Sequence, residues 1–147
     1  PEKNSLGIIF SKTLATEQEF NSSIFGLKGK LDATIQMSHK ESHIKRVTAL
    51  ELKTGRELNA HRGQVLLYSL LLTERFLHAN QHNILLYIMK PKTYLIKTVR
   101  EELVILIQRR NELAKLQKVH ASGQSVLLPK VLNDDSCTRC YVATTCR

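Results

Sequence analysis

Three charged side chains lie on two strand-like stretches of the sequence. Asp32 lies in GLKGKLDAT, and Glu51 and Lys53 lie in ALELKTGRE. Because successive side chains of a β-strand point to opposite faces, Glu51 and Lys53 share one face. If the preceding strand pairs antiparallel with the Glu51 strand, Asp32 lies beside Glu51. The sequence therefore predicts two carboxylates and one ammonium at one edge of a sheet.

Such a trio is suited to phosphodiester hydrolysis. Carboxylate oxygens are hard ligands for Mg²⁺ or Mn²⁺, and either ion neutralises a phosphate and lowers the pKa of a bound water. Lys53 would steer or deprotonate that water and offset the charge that develops on the phosphate. A Glu-x-Lys pair also occurs often on solvated strand edges, and this remains the alternative from the residues alone.

A helix predicted after the Lys53 strand carries a polar stripe. His61, Gln64 and Tyr68 stand at positions i, i+3 and i+7 of a leucine-rich segment, so they share one side of the helix. Gln64 would hold the phosphate or the lysine. Tyr68 would contact a nucleic-acid backbone or stack on a base, and the alternative for Tyr68 is core packing with its hydroxyl satisfied.

All three cysteines lie near the end of the chain, as Cys137, Cys140 and Cys146 in a Cys-x2-Cys-x5-Cys pattern. Three thiolates this close can share one metal centre, with a fourth ligand from elsewhere. Short cysteine spacing favours zinc, and a [4Fe–4S] cluster, which also takes four thiolates, is the alternative.

The composition indicates one globular domain with a polyanionic partner. The chain has 147 residues, of which 42% are hydrophobic, and 22 Lys and Arg against 13 Asp and Glu give a net charge of +9. Such a surplus attracts a polyanion, most often nucleic acid. No apolar run is long enough to span a bilayer, and no membrane partner is expected. A P-loop motif does not occur, so no ATP site is predicted. We interpret the chain as a fragment of a longer protein.

The alternation of apolar and polar segments predicts a mixed α/β fold. Residues 22–37 form one long strand with a kink at Gly26 or Gly29, and 44–53 form the returning strand of a hairpin. The remaining predicted elements are strands at 7–10, 83–90 and 93–100 and helices at 57–79 and 100–121.

The segments GLKGKLD, ELKTG and HRGQVLLYSLL, in this order and spacing, resemble the RecB-like branch of the PD-(D/E)xK nucleases, and above all nuclease domains joined to a replication helicase. The resemblance extends from about Phe25 to Cys146. It implies a restriction-endonuclease-like mixed β-sheet flanked by helices, with a C-terminal cysteine-cluster loop. The implied domains are a nuclease core over 1–133 and a partial iron–sulfur segment over 134–147.

The resemblance also implies a role for each residue of the predicted site. Asp32 and Glu51 would be metal ligands together with the backbone carbonyl of Leu52, and Lys53 would be the catalytic lysine. Gln64 and Tyr68 match the glutamine–tyrosine motif of the family.

The family often has another acidic residue on the neighbouring upstream strand. Glu17 or Glu19 would supply it, and the sequence does not choose between them. Leu31, where the family signature has proline, precedes the first aspartate. The N-terminal helix that carries a metal-binding histidine in some members is not evident in the sequence.

The iron–sulfur subgroup of these nucleases has three C-terminal cysteines at this spacing and a fourth far upstream. The resemblance therefore favours [4Fe–4S] over zinc for Cys137, Cys140 and Cys146. This chain has only these three cysteines, so the cluster is expected in the intact parent protein and not in the chain alone. His120 as a substitute fourth ligand is disfavoured, because cysteine is the usual ligand.

The resemblance implies a metal-dependent nuclease that cleaves single-stranded or flap DNA in replication and repair, with the helicase elsewhere in a larger protein. Implied partners are single-strand-binding protein and other replication factors, in the nucleus and also in the mitochondrion. One alternative is the iron–sulfur exonuclease of CRISPR adaptation. Alternatives outside the enzymes are a non-catalytic, metal-stabilised DNA-binding module and a zinc-stabilised scaffold.

Overall fold

The computed structural model describes residues 7–41, 44–77, 79–124, 138 and 140–143. The chain divides into two compact units, residues 1–107 and residues 108–147. In chain order the strands and helices are β1 (Ile8–Ser22), β2 (Leu27–His39), β3 (Lys45–Lys53), α1 (Asn59–Arg75), β4 (His82–Tyr87), β5 (Lys92–Lys97) and α2 (Arg100–Ala121).

The five strands form one mixed sheet in the order β1-β2-β3-β4-β5. Three of the four strand pairs are antiparallel, and β3 and β4 are parallel. A parallel pair needs a long crossover connection, and α1 provides it. The helix packs through Tyr68, Leu71 and Leu72 on a core cluster that includes residues of β1, β2 and β3. The structure therefore confirms the predicted α/β class and mixed sheet.

The first hairpin differs from the sequence prediction. Residues 22–37 are not one strand, because Ser22 ends β1, residues 23–26 form a turn and Leu27 begins β2. The predicted kink at Gly26 is this turn, and its φ of 56° is a backbone conformation that glycine adopts without steric cost. The strand predicted at 7–10 extends to residue 22. Its outer part was missed because an edge strand that is mostly exposed lacks apolar alternation.

The remaining predictions need smaller changes. Predicted helix 57–79 is shorter, because the backbone becomes extended at Phe76 and ends α1 at Arg75. Predicted strands 83–90 and 93–100 also shorten, to β4 and β5, and predicted helix 100–121 is confirmed as α2. No described helix has the length and apolar character needed to cross a membrane.

The alternation of β2 breaks at Asp32. Leu31 and Ala33 would share a face in a regular strand. Instead Leu31 packs in the cluster with α1, while Ala33 packs in a second cluster with Leu50. Glu17 stands opposite Asp32 in the register of β1 and has a φ of 52°. The side chains of β1 and β2 therefore switch from one face of the sheet to the other at the same pair of residues, Glu17 and Asp32.

At the start of the parallel pair of β3 and β4, a side chain takes the place of a backbone hydrogen-bond acceptor. The backbone pairing of β3 with β4 begins at Leu50 and Ile84. One residue earlier, the Ala49 N–H donates to Asn83 Oδ1 at 3.0 Å, and Asn83 is fully buried. Asn83 thus supplies the acceptor for a buried amide whose loss would cost about 1–3 kcal/mol, while its own Nδ2 is buried without a hydrogen-bond partner among the described residues.

Candidate active site

The three charged side chains singled out from the sequence meet at the carboxyl end of β3. The last paired residues of β2 and β3 are Ala33 and Leu50. Beyond this pair, the Leu52 N–H donates to Asp32 Oδ2 at 2.7 Å, so a carboxylate takes the position of the next strand partner. Lys53 Nζ donates to Glu51 Oε1 at 2.5 Å. The predicted juxtaposition of Asp32, Glu51 and Lys53 is present.

Glu51 is buried in a position that disfavours its negative charge. Its side chain is only 2% exposed. Burial raises the pKa of the Glu51 carboxyl, the Lys53 ammonium opposes this rise, and the nearby Asp32 carboxylate adds to it. Glu51 Oε2 is buried without a hydrogen-bond partner in the described part of the chain. A buried carboxylate oxygen without a partner is costly, so the site favours a cation beside it.

The donor set fits a hard divalent cation. Asp32 and Glu51 supply carboxylate oxygens, which Mg²⁺ and Mn²⁺ prefer. Among the described residues, no three His, Cys, Asp or Glu side chains group into a metal site. The Leu52 N–H bond to Asp32 fixes the backbone beside the pair, and the Leu52 carbonyl as a ligand remains a prediction.

Glu17 and Glu19, the two candidates for a further acidic ligand, are both on β1 and both form ion pairs. Glu17 lies 2.5 Å from Lys30 Nζ, and Glu19 lies 3.6 Å from Lys28 Nζ. Their side chains are mostly exposed, and among the described residues the ion pairs of both glutamates are with lysines of β2 and not with Lys53. The choice between them remains a prediction.

Gln64 and Tyr68 connect α1 to β2. Gln64 Nε2 donates to Tyr68 Oη at 2.6 Å, and Tyr68 Oη donates to the Lys30 carbonyl at 2.8 Å. The tyrosine is 6% exposed, which fits the packing alternative rather than stacking on a base. Burial raises the pKa of the Tyr68 hydroxyl, and the Glu51 and Asp32 carboxylates raise it further. The motif therefore holds α1 against β2 two residues before Asp32.

His61, the first member of the polar stripe, lies on the other side of the lysine. Its Nδ1 is 2.9 Å from Tyr87 Oη, and Tyr87 pairs with Lys53 across the parallel strands. Burial lowers the pKa of His61, and the Lys53 ammonium lowers it further. Tyr87 was missed from the sequence, because nothing in the local pattern of an apolar strand indicates a partner 26 residues away.

Gly29 provides the space that Tyr68 occupies. A Cβ at Gly29 would lie 2.9 Å from Tyr68 Cε1 and 3.0 Å from Leu71 Cδ1. We expect Gly29→Ala to displace the buried ring, to destabilise the protein by about 1–3 kcal/mol and to reduce phosphodiester cleavage. Thermal unfolding and a cleavage assay measure the two effects.

The matched control is Gly55→Ala, since a Cβ at Gly55 meets no atom within 4 Å. This control should change the free energy of unfolding by less than about 0.5 kcal/mol. Equal stability of the two variants would show that Tyr68 does not need the space at Gly29.

The cysteine prediction falls largely outside the described residues. Cys137 and Cys146 are not among them, and Cys140 is exposed. His120 lies in the last turn of α2 and is exposed. The cluster assignment for these residues remains a prediction.

The chain is similar to a known nuclease superfamily and to replication enzymes. The sequence profile of the PD-(D/E)XK nuclease superfamily matches residues 5–147. The chain is 34% identical over 130 residues to the DNA replication ATP-dependent helicase/nuclease JHS1 of Arabidopsis thaliana, covering 83% of this chain and 10% of that protein. It is 30% identical over 146 residues to the DNA replication ATP-dependent helicase/nuclease DNA2 of Saccharomyces cerevisiae, covering 95% of this chain and 10% of that protein.

The fold is also similar to a solved structure. The crystal structure of SSO0001 matches with a TM-score of 0.52 and 20% identity, over 98% of this chain and 62% of that one. The sequence match extends over nearly the whole chain, and Asp32, Glu51 and Lys53 lie together at the carboxyl end of β3. The chain thus belongs to the PD-(D/E)XK nuclease superfamily, and it is homologous to the nuclease domain of the DNA2 and JHS1 helicase/nucleases.

Proposed function

We propose that this chain is a metal-dependent DNA nuclease domain that cleaves single-stranded or flap DNA as part of a larger replication helicase–nuclease. The observation that carries the proposal is the buried Glu51 carboxylate, which lies beside Asp32 and Lys53 and whose Oε2 has no hydrogen-bond partner among the described residues. Membership of a nuclease superfamily supports phosphodiester hydrolysis. The names of the Arabidopsis and yeast relatives support DNA as the substrate.

In this proposal Asp32, Glu51 and the Leu52 carbonyl hold Mg²⁺ or Mn²⁺. The bound cation supplies charge neutralisation and Lewis acidity at the scissile phosphate. The Leu52 N–H holds the Asp32 carboxylate in place through its bond to Oδ2. Lys53 Nζ, beside Glu51 Oε1, offsets the charge that develops on the phosphate oxygens.

Gln64 and Tyr68 contribute by positioning α1 relative to β2, the strand that carries Asp32. Their hydrogen bonds to each other and to Lys30 fix the distance between α1 and the strand that carries Asp32. Either Glu17 or Glu19 would join the site only after leaving its lysine partner.

The proposal includes an iron–sulfur segment at residues 134–147, which follows a nuclease core at 1–133. Cys137, Cys140 and Cys146 supply three thiolates to a [4Fe–4S] cluster. The chain has only three cysteines, so the fourth comes from elsewhere in the intact protein. Location in the nucleus and in the mitochondrion, single-strand-binding protein as a partner and a separate helicase region belong to the same proposal, which the similarity to DNA replication helicase/nucleases supports.

The test is cleavage of 5′- and 3′-labelled single-stranded oligonucleotides by the full-length protein and its Asp32→Asn variant in Mg²⁺. Asparagine can still accept the Leu52 N–H, so the fold should survive while one charged ligand is lost. We expect the cleavage rate to fall about 10²–10³-fold.

Glu41→Gln is the control, because this exposed residue lies outside the site. It should cleave like the wild type. A wild-type protein that binds the oligonucleotides but never cleaves them would instead support the non-catalytic DNA-binding module.

A further inference from the structure

A groove of about 440 Å³ lies beside the carboxylate–lysine centre. Its walls are the loop at residues 54–57, directly after β3, and the turn at residues 88–90, directly after β4. Because β3 and β4 are parallel, these two segments follow the carboxyl ends of neighbouring strands and lie at the same end of the sheet. We call this feature the β3–β4 groove.

The groove is continuous with the strand that carries Lys53. Lys53 pairs with Tyr87 across the sheet, and Tyr87 lines the groove. The Ile88 N–H donates to the Lys53 carbonyl at 2.9 Å, which joins the two walls at their base. A substrate that reacts beside Lys53 would therefore lie next to the groove.

The groove carries unpaired positive charge. Arg56 and Lys90 line it, both are exposed, and neither forms an ion pair in the described part of the chain. The acidic residue of the lining, Glu57, is already neutralised. Tyr94 and Lys92 donate hydrogen bonds to its carboxylate and lower the pKa of Glu57. The groove therefore presents two cations without an ion-pair contact among the described residues and one anion, Glu57, whose charge is offset mainly by Tyr94 and Lys92 and to a smaller extent by Lys90.

The same groove exposes apolar surface next to these cations. Met89, beside Lys90 in the lining, is 74% exposed. One exposed apolar side chain and two cations in adjoining loops match the surface of a nucleotide, in which an anionic phosphate alternates with an apolar sugar and base face.

We propose that the β3–β4 groove binds the nucleic-acid strand on one side of the scissile phosphate. Arg56 and Lys90 contact one or two flanking backbone phosphates, and Met89 contacts the adjoining nucleoside. The assignment rests on the proposed nuclease function for its location, while its test reads binding separately from cleavage.

Gly55 allows charge to be added without removing any contact. Its Cβ position is open, and it lines the groove next to Arg56. The groove predicts tighter binding of a single-stranded oligonucleotide by Gly55→Lys, weaker binding by Gly55→Glu and no change for Gly55→Ala. Fluorescence anisotropy in the Glu51→Gln background, where the substrate stays intact, measures each dissociation constant.

The salt dependence gives the number of phosphate contacts. For single strands, log Kd changes with log salt by about 0.7 per neutralised phosphate. The double variant Arg56→Gln/Lys90→Gln should therefore lower this slope by about 0.7–1.4. The matched control is Lys12→Gln/Arg75→Gln, which removes two exposed cations that do not line the groove.

A small phosphodiester substrate distinguishes binding in the β3–β4 groove from the cleavage step itself. Bis(4-nitrophenyl) phosphate has no flanking phosphate, so the Arg56→Gln/Lys90→Gln variant should hydrolyse it at the wild-type rate and lose about 5–20-fold in kcat/KM on an oligonucleotide. Equal salt slopes for the groove and control variants, or an unchanged affinity in both Gly55→Lys and Gly55→Glu, would overturn the proposal. If the wild type cleaves neither substrate, the nuclease function is refuted. The binding measurements alone would then test the proposal for the groove.

Discussion

Glu51→Gln is expected to abolish strand cleavage, with a loss of about 10³-fold or more in kcat/KM. Glutamine has the same shape and can still accept the Lys53 ammonium, but it removes the buried charge that the cation requires. The proposed metal site would then retain only Asp32 as a charged side-chain ligand. Cleavage of labelled single strands in Mg²⁺ and in Mn²⁺ measures the loss.

The same substitution should stabilise the protein when no divalent cation is present. Glu51 is 2% exposed and its Oε2 lacks a hydrogen-bond partner in the described chain, so the wild type bears the cost of a desolvated charge. Because burial raises the pKa of Glu51 even with Lys53 beside it, removal of this charge should raise the free energy of unfolding by about 1 kcal/mol in EDTA. Thermal unfolding, measured by circular dichroism, would show a melting temperature a few degrees higher.

Mg²⁺ should reverse the order of stability, so that the wild type becomes more stable than Glu51→Gln. A cation that binds only the folded wild type stabilises it by mass action, while Glu51→Gln gains little. The control is Glu74→Gln, an exposed residue at which neither effect is expected. Retained cleavage, or an equal response of both proteins to Mg²⁺, would show that Glu51 does not hold the cation.

The centre of this site follows from the sequence because it depends on local geometry. Glu51 and Lys53 are two residues apart, and a strand places such residues on one face. Asp32 required one further assumption, an antiparallel hairpin between β2 and β3, and the structure has this pairing. The Gln64–Tyr68 pair likewise follows from helical spacing.

Features that depend on long-range pairing could not be predicted in this way. The contact of His61 with Tyr87 requires the parallel register of β3 and β4, which α1 separates in sequence. The change of face at Asp32 involves Glu17 of a neighbouring strand in an unusual backbone conformation. Most of β1 gave no apolar pattern, because most of its side chains are exposed.

Lys53→Gln is expected to lower kcat about 10²–10³-fold and to change the dissociation constant for a single-stranded oligonucleotide less than about threefold. The lysine is 22% exposed and its Nζ is 2.5 Å from Glu51 Oε1, so its charge lies inside the site rather than on the open surface. Glutamine can preserve the hydrogen bond to Glu51 but not the charge. Single-turnover cleavage and anisotropy separate the two quantities.

Lys53→Arg distinguishes charge from geometry. Arginine keeps the positive charge but presents a planar fork and does not release a proton at accessible pH. If Lys53 acts only by offsetting charge, the arginine variant should recover much of the rate; if it also transfers a proton, the rate should stay near that of Lys53→Gln. In contrast, loss of Arg56 and Lys90 should weaken binding and leave kcat near the wild-type value. Equal effects of Lys53→Gln on kcat and on affinity would place Lys53 with the binding cations and remove it from the catalytic step.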